Sequence, residues 1–321
     1  MVKRKKSGSS KGWQTQNKKI KSGSLKTQFS KVAAGLTILI LIILLSGFAV
    51  HYLIPCRETY DLLTEKKQAE KPPRFELYPT ERKKPKKPVY KPFVKPPGKL
   101  PRVAIIIDDI GYDHVLADKF IELGAVITLS VLPYSPFHNR IINNAKKNGI
   151  EIMLHLPMEP VEYPHVDPGK GALFTSMTAD ELITTLNQDL DSLSCVKGVN
   201  NHMGSKMTTV SFQMNQIFSI LKKRELFFID SRTTHETLCR SSARLLRIPF
   251  AKRDVFIDHI QDSGFIRKQI KQLVSIANRQ GESVGIAHPH PETYKVLSEM
   301  LPYLQKRVLL VPASKIAHIV G

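Results

Sequence analysis

The chain has 321 residues, 42% of them hydrophobic, with 48 Lys/Arg against 28 Asp/Glu and a formal net charge of +20; it can build a core and is not disordered throughout. Residues 1–55 hold ten Lys/Arg and no acid, residues 56–100 hold thirteen against six, and the other 221 hold 25 against 22. The basic charge therefore belongs to the leader and not to a folded face that could meet phosphates, so no nucleic-acid partner is expected.

Residues 32–55, VAAGLTILILIILLSGFAVHYLIP, run 24 residues without Lys, Arg, Asp or Glu. As a helix this crosses a bilayer core of roughly 30 Å, and one transmembrane signal anchor is predicted. The basic tail 1–31 stays on the cytoplasmic side, which sends the C-terminal domain to the periplasmic or extracellular side of the inner membrane. The competing reading is a cleaved signal peptide, but the run exceeds a usual apolar signal core and no clear Ala-x-Ala site follows. Pro55 stands before Cys56 where lipoprotein processing wants a small residue.

Residues 56–100 read as a linker, because nine of the 21 prolines fall between Pro72 and Pro101, interleaved with lysines. Such a segment favours extended polyproline II and acts as a semi-rigid, solvated spacer.

From residue 101 short apolar runs alternate with amphipathic stretches, the pattern of βα units around a buried parallel sheet. Strands are predicted at 103–107, 127–132, 151–154, 198–201, 226–229, 248–251, 284–287 and 308–311. A helix is predicted over 113–123. Ser135-Pro136 reads as the N-cap and first residue of the next, which Gly149 stops. Thr178 to Glu181 has capping-box spacing, followed by Leu182, Ile183, Leu186, Leu190 and Leu193 on one face. The fold class is α/β: a (β/α) barrel of seven or eight units, possibly incomplete, with a doubly wound open sheet as the alternative.

Chemistry in such folds gathers past the carboxyl ends of the strands. Those ends read Asp108-Asp109, then His155 followed by Glu159, then Asn200-Asn201-His202, Asp230-Ser231-Arg232, and His288-Pro289-His290. Carboxylates, imidazoles and an arginine converging on one mouth are costly to desolvate without a metal, a substrate or mutual pairing. Asp254 and Asp258 resemble helix-start residues. Cys195 and Cys239 lie in no metal-like spacing and are expected to be structural, with their pairing open.

Residues 101–320 resemble the divergent polysaccharide deacetylases, distant relatives of the carbohydrate esterases that de-N-acetylate chitin oligomers and peptidoglycan. The resemblance rests on AIIIDDIGYD (104–113), EIMLHLPMEP (151–160), GVNNHMGSKMT (198–208), FFIDSRTT (227–234) and GIAHPHPET (285–293). It implies Asp108 as general base, Asp109 as metal ligand, and His288 as general acid, with His290 able to share that role. The superfamily's second motif supplies two histidines four residues apart, whereas here His155 is followed by Glu159. Either Glu159 replaces the missing His, or His202 completes an Asp109, His155, His202 site suited to Zn²⁺. Of these His202 is favoured. Glu159, Asn201, Asp230 and Arg232 are then expected to orient ligands or touch substrate.

The implied function is a membrane-anchored, metal-dependent hydrolase that removes acetyl groups from N-acetylated glycan or peptidoglycan. An inactive barrel that binds glycan or an envelope protein is the alternative. A third reading is glycosidic-bond hydrolysis through carboxylates such as Asp108 and Glu159.

Overall fold

The computed structural model describes residues 100–321 apart from Ser194. The predicted basic tail, membrane span and the linker as far as residue 99 lie outside the described residues. Among the described residues no helix is long and apolar enough to cross a membrane.

Ten strands form one sheet: β1 (Arg102–Ile110), β2 (Thr128–Val131), β3 (Glu151–Met158), β4 (Gly198–Met203), β5 (Phe227–Asp230), β6 (Pro249–Lys252), β7 (Val255–Phe256), β8 (Glu282–Ala287), β9 (Leu309–Leu310) and β10 (His318–Ile319). Among the described residues seven α-helices connect them: α1 (His114–Ile121), α2 (His138–Lys147), α3 (Ala179–Ser192), α4 (Ser211–Lys223), α5 (Cys239–Leu246), α6 (Ser263–Gln280) and α7 (Pro291–Gln305). The strand order is β10-β6-β5-β4-β3-β2-β1-β8-β7, with β9 beside β1. Every pairing is parallel except that of β10 with β6. Strands β6 and β7 stand near opposite ends of this order, yet only Arg253 and Asp254 separate them in the chain. The sheet must therefore curl until its ends approach, although no ladder joins β6 to β7. This is a curved, incompletely closed α/β barrel, in line with the predicted class.

Alternation along the strands separates two cores. Val103, Ile105 and Ile107 of β1 face outward with Phe120, Leu186 and Phe218 of the helices. Ala104 and Ile106 face inward with Met153, Phe227, Ile229, Val284 and Ile286. Val311, Ala313, Ile316 and Ala317 join that inner group. The barrel interior is thus largely apolar between a polar group at the amino ends of the strands, where Thr128 bonds Glu151, and the carboxyl ends, where the inward positions turn polar.

The predicted capping box forms: Thr178 accepts from Glu181 N and Glu181 accepts from Thr178 N. Leu182, Leu186 and Leu190 are buried as the spacing required, with Leu193 just past the helix. Helix α2 starts later than expected, at His138 with Phe137 as N-cap. Ser135 does not cap it, because its hydroxyl donates to the Leu132 carbonyl at 2.8 Å and holds the turn after β2. The same side chain packs on Gly111, where a Cβ would fall 1.9 Å from Ser135 Oγ. Strands β7 and β10, only two residues each, were not foreseen. Cys195 is exposed, Cys239 is buried, and both are free.

One buried charge is a stability liability. Asp189 of α3 is fully buried, with the Tyr134 hydroxyl beside its carboxylate but no well-aligned hydrogen bond to either oxygen. Burial pushes its pKa from 3.8 up to about 8. Ionisation is thus disfavoured in the fold, and the penalty is absent below about pH 4, grows with pH, and is complete above about pH 8. Asp189→Asn should therefore melt higher than the wild type at pH 8, by on the order of 1–3 kcal/mol. The difference should vanish at pH 4, and a gap equal at both pH values would refute the assignment.

Candidate metal centre

Inward positions of the strand ends supply most of the site. On β4 the two-residue period puts Asn200 and His202 on the face of the inner core, and the register pairs His155 of β3 with Asn200. Asp108 follows Ala104 and Ile106 on the inward face of β1. Asp109, one residue on, should face the helices. It does not, because its φ is 54° and the β1–β2 register shifts between Ile107 and Ile110. This left-handed kink turns two consecutive carboxylates toward one pocket. Met203 after His202 and Arg232 after β5 also have positive φ, 53° and 54°. Non-glycine residues held this way cost free energy and gather at functional sites.

Asp109, His155 and His202 come together. Asp109 Oδ1 lies 3.0 Å from His155 Nε2 and 3.0 Å from His202 Nδ1, and the two nitrogens are 3.1 Å apart. All three residues are buried. Asp109 Oδ1 forms no well-aligned hydrogen bond despite these neighbours, and His202 Nε2 also has no partner. Burial opposes ionisation of Asp109, but the imidazoles of His202 and His155 prevail and hold its carboxyl well below the usual range. Burial lowers the pKa of His202 against the opposing pull of Asp109, which favours the uncharged ring that a cation needs. Two imidazoles and a carboxylate facing one point, with an orphaned oxygen among them, fit a divalent cation.

Asp108 lies beside this group, its Oδ2 3.8 Å from His155 Nε2. Its pKa is raised, chiefly by burial. Asn200 donates to both its oxygens, at 2.8 and 3.0 Å. Across an open cleft stands His288, with Ser231, Arg253 and Phe256 also on the walls.

His288 is held by Asp258, which accepts from its Nδ1 at 3.0 Å and its backbone N at 2.7 Å. Thr293 Oγ1 donates to the same carboxylate at 2.7 Å. Burial opposes charge on His288, but Asp258 outweighs it and raises the imidazole pKa to about 9. The reading of Asp258 as a helix-start residue is therefore corrected: it precedes no helix and orients an imidazole. Asp254 likewise caps no helix, since its Oδ2 accepts from Val284 N and ties the β6–β7 turn to β8.

Glu159 sits away from the three donors. Lys206 Nζ reaches its Oε1 at 2.6 Å, and Thr175 N and Oγ1 both reach its Oε2 at 2.6 Å. Burial opposes its charge, yet these partners keep its pKa below the usual range. It pins the long loop after β3. Asn201 bridges strand ends, donating to Met203 O at 2.8 Å and accepting from Ser231 N at 2.9 Å. Asp230 faces away from the cleft and accepts from Arg232 N at 2.8 Å and Thr237 Oγ1 at 3.1 Å. The Arg232 side chain points to His235 at 3.4 Å. His290 is the half-buried N-cap of α7, with Nε2 3.0 Å from Gln261 Nε2, and does not line the cleft.

Sequence reasoning named Asn200 and Ser231 only within strand-end blocks and gave them no role, read Asp258 as a helix start, and passed over Arg253. Asn200 carried a signal, since it shares the inward face with His202 two residues on. Arg253 carried none: its Nε donates to Ser231 O at 2.7 Å and its Nη2 to Arg232 O at 3.1 Å, contacts that only the fold creates.

Comparison with known proteins agrees with this architecture. The sequence model of the family described as divergent polysaccharide deacetylase matches residues 105–317. The chain is 34% identical over 217 residues to the uncharacterized protein YibQ of Escherichia coli (strain K12), covering 68% of this chain and 67% of that one. It is 30% identical over 211 residues to an uncharacterized protein of Haemophilus influenzae, covering 65% of this chain and 74% of that one. The crystal structure of an uncharacterized protein from Agrobacterium tumefaciens C58 has the same fold, with a TM-score of 0.66 at 24% identity over 70% of this chain and 93% of that one.

Proposed function

The chain belongs to the divergent polysaccharide deacetylase family, and from that premise we propose that it is a membrane-anchored, metal-dependent hydrolase of N-acetylated envelope glycan. The observation that carries this reading is the convergence of Asp109, His155 and His202, flanked by Asp108 on one side and His288 on the other. These three residues would hold a divalent ion, with Zn²⁺ the expected species. When bound, such an ion supplies Lewis-acid polarisation of the acetamide carbonyl and acidifies water.

The chain's own groups carry the protons. Asp108, raised above the ordinary carboxylate range by burial, takes a proton from the attacking water as its oxygen adds to the acetyl carbon. His288, kept protonated at neutral pH by Asp258, gives a proton to the departing sugar nitrogen. The amide C–N bond breaks, acetate leaves, and the sugar keeps a free amine. Ser231 and Arg253 on the cleft wall offer polar contacts to the sugar. Anchoring by residues 32–55 sets this cleft on the periplasmic or extracellular side, where such glycans occur.

The glycosidic-bond reading loses its second carboxylate, because Glu159 is committed to Lys206 and Thr175. The test is metal content by mass spectrometry on the full chain, with acetate release from N-acetylated glucosamine oligomers and peptidoglycan. About one ion per chain together with acetate is expected. A chain that takes up no Zn²⁺ and releases no acetate, yet binds glycan, is the inactive binder instead.

A further inference from the structure

We propose that Asn200 is a positioning residue that couples the general base to the metal ligands, an inference that rests on the hydrolase reading above. Asn200 is fully buried at the centre of the site. Its amide group donates to both oxygens of Asp108, at 2.8 and 3.0 Å, and to Ser231 Oγ at 3.3 Å. Its carbonyl oxygen faces the Ser130 hydroxyl and lies 2.9 Å from His155 Nδ1.

An asparagine side chain has one accepting end and one donating end. The Asp108 carboxylate decides which way it lies, because the reversed amide would set a carbonyl against a carboxylate. The accepting end is thereby fixed on His155, and Nδ1 of that ring must carry the proton. Nε2 is then the nitrogen left for an ion, and it is the atom 3.0 Å from Asp109 Oδ1 and 3.1 Å from His202 Nδ1. One amide thus holds the base in place and selects the tautomer that a metal needs, the service that neighbours of a metal-bound histidine commonly provide. The two tasks use opposite ends of the side chain and can be separated.

The experiment uses the full chain with Asn200→Leu, Asn200→Asp and Ser130→Ala. The readouts are the Zn²⁺ dissociation constant by chelator competition, the visible absorption of the Co²⁺ form, and acetate release. Asn200→Leu removes both ends and should weaken Zn²⁺ binding about 10–100-fold while abolishing turnover. Asn200→Asp keeps an acceptor for His155 but presents Asp108 with a carboxylate in place of N–H donors. It should bind Zn²⁺ within about threefold of wild type, keep the Co²⁺ spectrum, and lose turnover by about 100-fold or more. Ser130→Ala leaves both ends engaged and should stay near wild type in every readout.

A residue that only fills space would make the Leu and Asp chains fall together. Should Asn200→Leu fail to fold by circular dichroism, the Asp chain against wild type decides alone. An Asn200→Asp chain that loses Zn²⁺ while wild type binds it overturns the positioning role. A wild-type chain that takes up no Zn²⁺ overturns the parent reading and the metal half of this one with it.

Discussion

Replacing Asp109 with alanine is expected to empty the site of its ion and lower acetate release by about a thousandfold or more, since Lewis-acid assistance is worth several kcal/mol. Asp109 is the one carboxylate among the three converging donors. Without it two buried imidazoles face each other at 3.1 Å, and nothing in the triad offsets a dication's charge. Alanine also has to adopt a φ of 54°, which costs an L-residue without a short polar side chain about 1–2 kcal/mol. Asp109→Asn controls for this, because asparagine tolerates the left-handed region and matches the carboxylate in shape. If charge and ligation are what matter, both variants lose the ion, and only the alanine chain also loses backbone stability. Metal per chain by mass spectrometry decides it, and an asparagine chain that still holds a full equivalent would remove Asp109 from the ligand set.

The second large effect is on the acid limb of the reaction. His288→Ala should cost about 10²–10⁴-fold in turnover, the usual worth of a positioned proton donor. Asp258→Asn is more diagnostic, because the amide oxygen can still accept from His288 N and Thr293 Oγ1, while the amide nitrogen faces His288 Nδ1 and the charge is gone. His288 has its pKa raised to about 9, so it stays charged at neutral pH, and activity falls as pH rises through that value. Without the Asp258 charge the limb should move down toward 6.5, the ordinary imidazole value. A bound ion pulls the limb down in both proteins and leaves their order unchanged.

Linkage gives a readout independent of substrate. A histidine with a raised folded pKa contributes stability that is fully present below about 6.5 and is lost as pH rises toward about 9. Wild type should therefore lose part of its melting temperature across that window, and Asp258→Asn should not. Equal pH–rate profiles for the two proteins would show that Asp258 does not set the charge of His288.

Much of this was legible before folding because it is local. The apolar run 103–107 at β1, the capping box of α3 and the face that Asn200 shares with His202 follow from two periods, 2 and 3.6 residues, and from hydrogen bonds that span three residues. Ordered strand-end blocks placed the polar residues in one ring. The start of helix α2 and the two-residue strands β7 and β10 escaped for the opposite reason. Ser135 answers to Leu132 and Gly111, and a two-residue strand has too few positions to display a period.

What the sequence determined by itself is the layered α/β plan, the family, and five residues of the site: Asp108, Asp109, His155, His202 and His288. What only the tertiary structure decided is which of them face one another. Asp109 joins Asp108 because one residue of β1 takes a left-handed turn, against the alternation that would send it outward. Glu159 is taken by Lys206, 47 residues on; Asp258 holds His288, 30 residues on; and Asn200 reaches back 92 residues to Asp108. Periodicity assigns a residue to a face. A hydrogen bond between distant strand ends depends on the curl and register of the whole sheet, and no local pattern in the chain encodes it.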